Sequence, residues 1–194
     1  MSLLAPLRDE INARRVARAR AGDAAAFRSL YRDLYPTVAA FIGRRIRGRA
    51  DVDDLVARVF MAFIKHLGDY RRDRGSVHAW ILTMARNAVI DHVRARRILV
   101  PIEAAEHMPG AGDLLGELLA REQLGQLHAQ LEALPPDLRE LLALRYGDGL
   151  RHAEIAAMLG LREDAVKQRV SRALRDLRAR LRLAGQKGAA DCVV

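Results

Sequence analysis

Apolar side chains recur every three to four residues through almost all of this chain, and no stretch alternates as a β-strand would. This spacing predicts an all-α fold. In the first half of the chain the predicted helices are 8–20, 52–67 and 76–97, with a further helix that follows Asp23. Asp23 caps that further helix, which Pro36 breaks or kinks, while Asp51 caps 52–67 and Ser76 caps 76–97. In the second half they are 113–133, 137–146, 151–159 and 163–183. Predicted inward-facing positions include Phe27, Leu30, Tyr31, Leu34, Ile64, Val77, Trp80, Ile81, Met84 and Ala88.

Prolines and glycines interrupt the helical spacing over residues 98–112, which reads as a connection between two bodies. We therefore predict two small helical domains joined by a flexible linker. The predicted boundaries are 1–97 for the first domain, 98–119 for an acidic linker, 120–183 for the second domain and 184–194 for a flexible tail.

The charge of the chain is strongly positive and unevenly distributed. The 194 residues include 33 Lys and Arg against 24 Asp and Glu, a formal charge of +9. Basic side chains dominate before residue 98 and again over 162–182, whereas 98–134 holds one basic and six acidic side chains. Two basic blocks on either side of an acidic segment suggest two contacts with one polyanion, most simply nucleic acid. The alternative at each block is a solvated helix face.

Several classes of function are excluded by composition. A single Cys allows no internal disulfide, and the six His are dispersed without the spacing of a metal site. The chain has no phosphate-binding glycine loop and no nucleophile elbow, so we expect no enzyme activity, no catalytic residue, no metal and no cofactor. No apolar run approaches the ~20 residues of a membrane span, and no secretory signal is present, so we expect a cytoplasmic protein without membrane insertion.

Residues 150–182 have the pattern of a helix-turn-helix. The inward positions are Ile155, Ala156, Leu159, Val166 and Val170. Small Ala156 allows a close approach of the two helices, and Gly160 can adopt a positive φ in the turn. The outward face of the second helix carries Lys167, Gln168, Arg169, Arg172 and Arg175. Such side chains suit phosphate contacts and hydrogen bonds to base edges in a major groove. An ordinary helical hairpin with a solvated basic face is the alternative.

The first domain carries a second pattern in three parts. These parts are Asp53-Asp54-Leu55-Val56, the Arg-rich loop 71–76 after Tyr70, and a helix with Trp80, Ala85-Arg86-Asn87, Asp91 and Arg94–Arg97. Capture of an unstacked base needs an aromatic or apolar pocket, polar hydrogen-bonding groups and cations for the backbone. Residues of the loop and of this helix can supply all three, although Trp80 at helical spacing is more simply a core residue.

Together, the two patterns resemble regions 2 and 4 of the extracytoplasmic-function (ECF) branch of bacterial sigma-70-type RNA polymerase sigma factors. On the region 4 side the resemblance rests on Leu134-Pro135, Arg139, Leu144-Arg145-Tyr146, Glu154-Ile155-Ala156, Leu159-Gly160 and Val166-Lys167-Gln168-Arg169. It implies a sigma factor that binds core RNA polymerase and directs promoter-specific transcription initiation. The first domain would recognise and melt the minus-10 element, and the helix-turn-helix would read the minus-35 element.

The resemblance also implies site residues and partners. Minus-10 contacts would come from Tyr70, Arg71, Arg72, Arg74, Ser76, Thr83, Arg86, Asn87, Arg94 and Arg97. Minus-35 contacts would come from Arg151, Arg162, Lys167, Gln168, Arg169, Arg172 and Arg175. Asp53, Asp54, Leu55 and Arg58 would dock on the clamp coiled coil of the largest polymerase subunit. The partners would be core RNA polymerase (clamp coiled coil and flap), double- and single-stranded promoter DNA and an anti-sigma factor.

The sequence departs from the family pattern at three places. Ala57-Arg58 replaces the usual Gln-Glu or Gln-Asp, Arg162 stands where a Ser or Thr N-cap is usual, and Ala165 replaces a common Thr. Two other functions stay open: a stand-alone helix-turn-helix regulator that binds DNA without polymerase, and a helical adaptor that sequesters an anti-sigma protein. Run-off transcription with core polymerase separates the three.

Overall fold

A computed structural model of the chain describes residues 5–97, 125 and 127–191, and all regular elements within these ranges are helical. The predicted all-α fold is therefore confirmed. The chain divides into two compact units, Met1–Ala105 and Glu106–Val194. All of the predicted linker 98–119, and most of the predicted helix 113–133, lie outside the described residues.

The first unit is a four-helix body. Its helices are α1 (Ala5–Arg20), α2 (Ala24–Gly43), α3 (Arg49–Lys65) and α4 (Val77–Arg97). Two single 3₁₀ turns, Leu67–Asp69 and Arg72–Arg74, lie between α3 and α4. Helix α2 packs against the other three helices, and α3 packs against α4. The fully buried side chains of this unit include Leu30, Leu34, Phe41, Phe63, Ile81 and Leu82.

Two helix starts in the first unit follow the predicted caps. The Asp23 carboxylate accepts hydrogen bonds from the backbone N–H groups of Ala25 (2.9 Å) and Ala26 (3.0 Å). These bonds, with the Arg18 guanidinium, hold the pKa of Asp23 below its ordinary value. The Ser76 hydroxyl accepts a bond of 3.1 Å from the N–H of Ala79 at the start of α4. Each cap satisfies amide groups that have no partner within the helix.

Three sequence predictions for this unit are wrong. The predicted break at Pro36 is absent, because α2 continues through Pro36 from Ala24 to Gly43: buried apolar residues on both sides of it form one continuous face, and the ring removes only one backbone donor. Asp51 does not cap α3, which begins at Arg49 after Gly48. Tyr31 and Ile64 were expected to face inward, yet 41% and 53% of their surfaces are exposed.

The buried face of α4 agrees with the predicted one only in part. Val77 and Ile81 are fully buried, as predicted. Trp80, Met84 and Ala88 are only half-buried, and the unpredicted residues Leu82, Ala85 and Val89 are buried. Trp80 still contributes to the core, since its ring lies 5.3 Å from that of Phe63. Packing against both α2 and α3 turns the helix so that small Ala85 faces its neighbours.

The second unit is built around the helix-turn-helix. Residues 127–132 are helical, followed by α5 (Pro136–Leu142), a wide π turn (Ala143–Gly147), α6 (His152–Leu159) and α7 (Glu163–Asp191). Both α5 and α6 pack on α7. The buried core of this unit includes Leu141, Leu144, Leu150, Ile155, Val166 and Ala173.

The helix predicted over 137–146 extends from Pro136 to Gly147, but its last part, from Ala143, is a π turn, in which the N–H of Asp148 donates to the Ala143 carbonyl at 2.8 Å. The last helix continues to Asp191 instead of ending at 183. No proline interrupts 184–191, and the Ala, Gln and Lys of that segment favour helix, whereas Gly185 and Gly188 disfavour it.

Candidate nucleic-acid interface

The turn between α6 and α7 has the geometry that its sequence predicts. Gly160 adopts the left-handed conformation (φ 67°, ψ 32°), which L side chains enter only at a cost. Its N–H and that of Leu161 both donate to the Ala156 carbonyl, the latter at 2.9 Å. This arrangement satisfies the end of α6 and redirects the chain into α7.

The inner and outer faces of α7 separate as the spacing predicts. Val166, Val170, Ala173 and Leu177 are buried toward the core of the unit, and Ala156 and Ile155 are buried on α6. The predicted outward residues Lys167, Gln168, Arg169, Arg172 and Arg175 are all exposed. The helix therefore presents one polar, mostly cationic face to solvent, as a recognition helix must.

Lys167 differs from its neighbours on that face because acidic residues of the first helical turn engage it. Its Nζ lies 2.9 Å from Glu163 Oε1 and 3.8 Å from Asp164 Oδ1. The hydrogen bond to Glu163 raises the pKa of Lys167 above its ordinary value. A phosphate would have to compete with these carboxylates, so Arg169 and Arg172 are the stronger candidates for DNA contact.

Arg151 and Glu154 form a cap at the start of α6. The backbone N–H of Arg151 donates to Glu154 Oε2 at 2.9 Å, and its Nη2 donates to Oε1 at 2.8 Å. Glu154 is buried, so this carboxylate is committed to the helix start. Arg162 is exposed immediately before α7, where its carbonyl accepts from the N–H of Val166 at 3.1 Å.

His152, the first residue of α6, lies half-buried beside two cations. Burial, followed by the charges of Arg145 and Lys167, lowers the pKa of His152 below 6.5, while Glu163 opposes the shift. This shift could not be predicted from the sequence, because the two cations come near His152 only when α6 packs against the π turn and against α7.

In the first unit, Tyr70 and Ser76 hold the Arg-rich loop from beneath. Tyr70 is only 7% exposed, its ring lies 5.4 Å from that of Trp80, and its hydroxyl donates to the Gly75 carbonyl at 3.1 Å. Ser76 is also buried as the cap of α4. The structure thus places both residues as supports of the loop, below the surface where sequence reasoning had them meet DNA.

The loop arginines themselves lie on the surface. Arg71, Arg72 and Arg74 are all exposed. Nη1 of Arg71 donates to the Gly68 carbonyl at 3.3 Å, and Arg72 pairs with Glu10 of α1. The hydrogen bond from Arg72 is the largest cause that lowers the pKa of Glu10. A contact between α1 and the loop was not predicted, since 62 residues separate the two partners.

The predicted contact residues of α4 share one face. Thr83, Asn87 and Arg94 follow each other at intervals of four and seven residues, which brings them into line on a helix. Asn87 and Arg94 are exposed, while Thr83 and Arg86 are half-buried, the Thr83 hydroxyl donating to the Ala79 carbonyl at 2.9 Å. The side chain of Arg97 lies outside the described part of the chain.

Of the predicted polymerase-docking residues in α3, three are exposed and one is not. Asp53, Asp54 and Arg58 lie on the surface, whereas Leu55 is 1% exposed and belongs to the core. Leu55 therefore packs α3 against the rest of the first unit and cannot contact a partner directly.

Exposed apolar side chains on α2 and α3 were not predicted. Met61 is 71% exposed and follows Asp54 by seven residues on the same face of α3. The rings of Tyr31 and Tyr35 on α2 are partly exposed and pack beside Phe60, that of Tyr31 at 4.5 Å. The positions of Tyr31 and Tyr35 on the helix follow from the sequence, but aromatic side chains at such positions are usually expected to be buried.

The described residues contain no cluster of three or more His, Cys, Asp or Glu side chains that could hold a metal ion. Within the same part of the chain, no helix combines the length and the apolar character needed to cross a bilayer.

Comparison with protein families gives two matches in the order that the folded units occur. Sigma-70 region 2 matches residues 30–98, and sigma-70 region 4 matches residues 124–177. The two matches define a protein of the sigma-70 type that has regions 2 and 4.

Individual relatives agree. The ECF RNA polymerase sigma factor BldN of Streptomyces coelicolor is 34% identical over 168 residues, which cover 84% of this chain and 62% of BldN. The ECF RNA polymerase sigma factor SigK of Mycobacterium ulcerans is 28% identical over 176 residues, covering 88% of this chain and 92% of SigK. This chain belongs to the ECF RNA polymerase sigma factors, a family that directs promoter-specific transcription initiation and whose members are not enzymes.

Two solved structures share the fold. CnrH, in complex with the cytosolic domain of CnrY, matches with a TM-score of 0.62 and 29% identity, over 89% of this chain and 98% of CnrH. RpoE of Bartonella quintana, in complex with the anti-sigma factor NepR, matches with a TM-score of 0.60 and 26% identity, over 80% of this chain and 96% of RpoE.

Proposed function

We propose that this chain binds core RNA polymerase and starts transcription at promoters that it recognises at two elements. Domain 1–97 would bind polymerase and the melted minus-10 element, and domain 120–183 would bind the minus-35 element as duplex. The acidic linker 98–119 would join them, with 184–194 as a tail. The observation that carries this proposal is the exposed cationic face of α7. Its basic side chains are in solvent, whereas the opposite face of the helix is buried in the core of the unit.

The minus-35 element would be read by α7 in the major groove. Arg169 and Arg172 are exposed in its first three turns, and an arginine can make a bidentate contact to guanine. Gln168, Arg175 and Lys167 would add contacts to adjacent bases and phosphates. Arg151 and Arg162, at the starts of α6 and α7, would contact phosphates flanking the groove.

The minus-10 element would meet the loop and one face of α4. Asn87 supplies a side-chain amide for a base edge, with Thr83 and Arg86 alongside it. Arg71, Arg72 and Arg74 in the loop, and Arg94 and Arg97 near the end of α4, would hold the backbone of the separated strand.

Polymerase would dock on the exposed face of α3. Asp53 and Asp54 would supply negative charge, and Met61 would supply an apolar contact between them and the end of the helix. Interfaces of this kind combine apolar side chains with a charged rim. Arg58 lies in the same face and makes it less acidic than the family pattern. The clamp coiled coil and the flap of polymerase are the proposed partner surfaces.

An anti-sigma factor is the second proposed partner. CnrH and RpoE were both solved with a bound protein, named as an anti-sigma factor for RpoE. On this chain, Tyr31 and Tyr35 of α2 and Met61 of α3 are exposed, and aromatic and methionine side chains are enriched in protein interfaces. We place the activity in the cytoplasm, where polymerase and promoter DNA are found.

Run-off transcription with purified core polymerase tests the proposal. Transcripts should start at defined sites in genomic DNA only when the chain is added, and Asp53→Arg/Asp54→Arg should abolish both co-purification with polymerase and initiation. Arg28→Glu/Arg32→Glu, on the exposed surface of α2, is the matched control and should initiate normally. DNA binding without initiation would favour the stand-alone regulator, and neither activity would favour the adaptor.

A further inference from the structure

Helix α1 contacts the Arg-rich loop through the carboxylate of Glu10. One oxygen of Glu10 pairs with Nη2 of Arg72 in the loop, 62 residues away in the sequence. The other oxygen accepts a hydrogen bond of 3.0 Å from Nε of Arg14, one turn further along α1. Glu10 is thus held between two guanidinium groups, one from its own helix and one from the loop.

Glu10 is an anion in this position. The hydrogen bond from Arg72 is the largest cause that lowers the pKa of Glu10, and the bond from Arg14 lowers it further, while partial burial opposes the shift. The carboxylate is therefore ionised at neutral pH. Carboxylates and phosphates both accept the N–H groups of a guanidinium. Glu10 consequently offers Arg72 the same kind of acceptor that a DNA strand would offer.

Arg72 differs in this respect from the other two arginines of the loop. Within the described part of the first unit, neither Arg71 nor Arg74 has a carboxylate partner, and Nη1 of Arg71 donates instead to the Gly68 carbonyl at 3.3 Å. A carbonyl leaves the positive charge of a guanidinium in place, whereas a carboxylate offsets it. Two loop cations are therefore ready for a phosphate, and the third is occupied.

The loop keeps its shape without this ion pair, because the hydroxyl of Tyr70 and the cap by Ser76 hold it from below. The side chain of Arg72 is 66% exposed and borders an open groove between α1 and the loop. Ala13 and Ala17 also line this groove. These small side chains leave room for the guanidinium to turn away from the carboxylate without a change in the core.

We propose that Glu10 occupies Arg72 in place of a DNA phosphate, so that α1 restrains the affinity of the loop for single-stranded DNA until a strand displaces the carboxylate. Exposed ion pairs are weak, so a strand that is also bound along α4 can displace Glu10. Other single strands that touch only the loop gain less from Arg72. This inference rests on the proposed function, in which the loop holds the separated promoter strand.

Glu10→Gln in the full chain tests the proposal by fluorescence anisotropy with a labelled single-stranded DNA of mixed sequence. Affinity should rise about two- to five-fold, because an exposed ion pair no longer competes with the strand. In the wild-type chain the displaced carboxylate takes up a cation, so the slope of log K against log salt should steepen by up to about 0.7 in the variant. Asp69→Asn is the matched control: it removes an exposed carboxylate next to the loop that pairs with His66, and it should change both quantities less.

The Arg72→Ala background separates competition at Arg72 from a general effect of charge. In that background, Glu10→Gln should change the affinity no more than the control does. An equal rise in both backgrounds would overturn the proposal. A lower affinity of Glu10→Gln alone would also overturn it, since Glu10 would then position Arg72 for the strand. Glu10→Ala should reproduce the rise, and far-UV circular dichroism checks the fold of each variant.

Run-off transcription distinguishes the failure of this inference from that of the proposed function. If the chain failed to initiate with core polymerase while Glu10→Gln still raised the affinity through Arg72, only the proposed function would fall. If the chain initiated and Glu10→Gln bound the single strand no more tightly than the wild type, only the competition by Glu10 would be rejected.

Discussion

Neighbouring residues of this protein take opposite roles because a helix turns by about 100° per residue. Leu55 is sealed in the core while Asp54 beside it is exposed. On α7 the same alternation separates buried Val170 from exposed Arg169. Contact residues can therefore be replaced without disturbing the core, which makes single substitutions informative.

Arg169→Ala should weaken binding to the minus-35 element by about 1–3 kcal/mol if the guanidinium reads a base. The exposed side chain has no part in packing, so unfolding should be unchanged. Affinity for a set of upstream sequences, measured by anisotropy, checks this. Arg180→Ala, farther along the exposed face of α7, is the control, and equal affinity of the Arg169 variant for every sequence would contradict base reading.

The stability of the second unit should fall on acidification through His152. Since the folded-state pKa is lowered from 6.5, the unfolded chain takes up the proton first, and stability present above that value is lost as the pH falls through the folded pKa. Urea unfolding at a neutral and a mildly acidic pH should show a smaller decrease for His152→Gln. An NMR titration of the folded protein that gave His152 its ordinary pKa would show that this residue does not cause the pH dependence.

At the scale of elements, turns and caps decide where each helix points. The π turn after α5 and the left-handed residue after α6 together set the direction of α7. In the first unit, the Tyr70 hydroxyl and the Ser76 cap fix both ends of the Arg-rich loop. The orientation of each predicted DNA-binding surface depends on these turns and caps, because a helix fits a DNA groove only at a defined angle.

Gly160→Ala should destabilise the helix-turn-helix by about 1–2 kcal/mol, the cost of an L residue at positive φ. No atom lies within 4 Å of the added Cβ, so backbone conformation alone carries the penalty. Gly43→Ala has equally open space without a positive φ and should be neutral or slightly stabilising. Thermal unfolding of both variants measures the difference, and equal melting temperatures would argue against strain at Gly160.

At the scale of the whole molecule, two separately folded units present separate cationic surfaces. Each has its own core and its own set of exposed polar residues. Energetic effects at distant, independent sites usually add to within about 0.5 kcal/mol. The two promoter contacts should consequently behave as independent contributions to one assembly.

Asn87→Ala and Arg169→Ala test this independence in the polymerase complex. Asn87→Ala should reduce promoter opening, read by permanganate footprinting, more than it reduces duplex binding. The double variant should lose the sum of the two single free-energy losses, measured as initiation rate at limiting concentration. A loss well beyond that sum would mean that the two surfaces are coupled, and wild-type permanganate reactivity in the Asn87 variant would exclude its role in melting.

The sequence alone determined the helical class, the family, the inner and outer faces of α7 and the Gly160 turn. All of these depend on local spacing and on single-residue conformational preferences, which act within a few positions of the chain. Only the tertiary structure decided that Pro36 stays inside a helix, that Tyr70 and Leu55 are supports, and that Glu10 reaches Arg72. Packing between segments far apart in sequence outweighs local preference at these positions, and it also brings Asp51 and Arg96 into an ion pair.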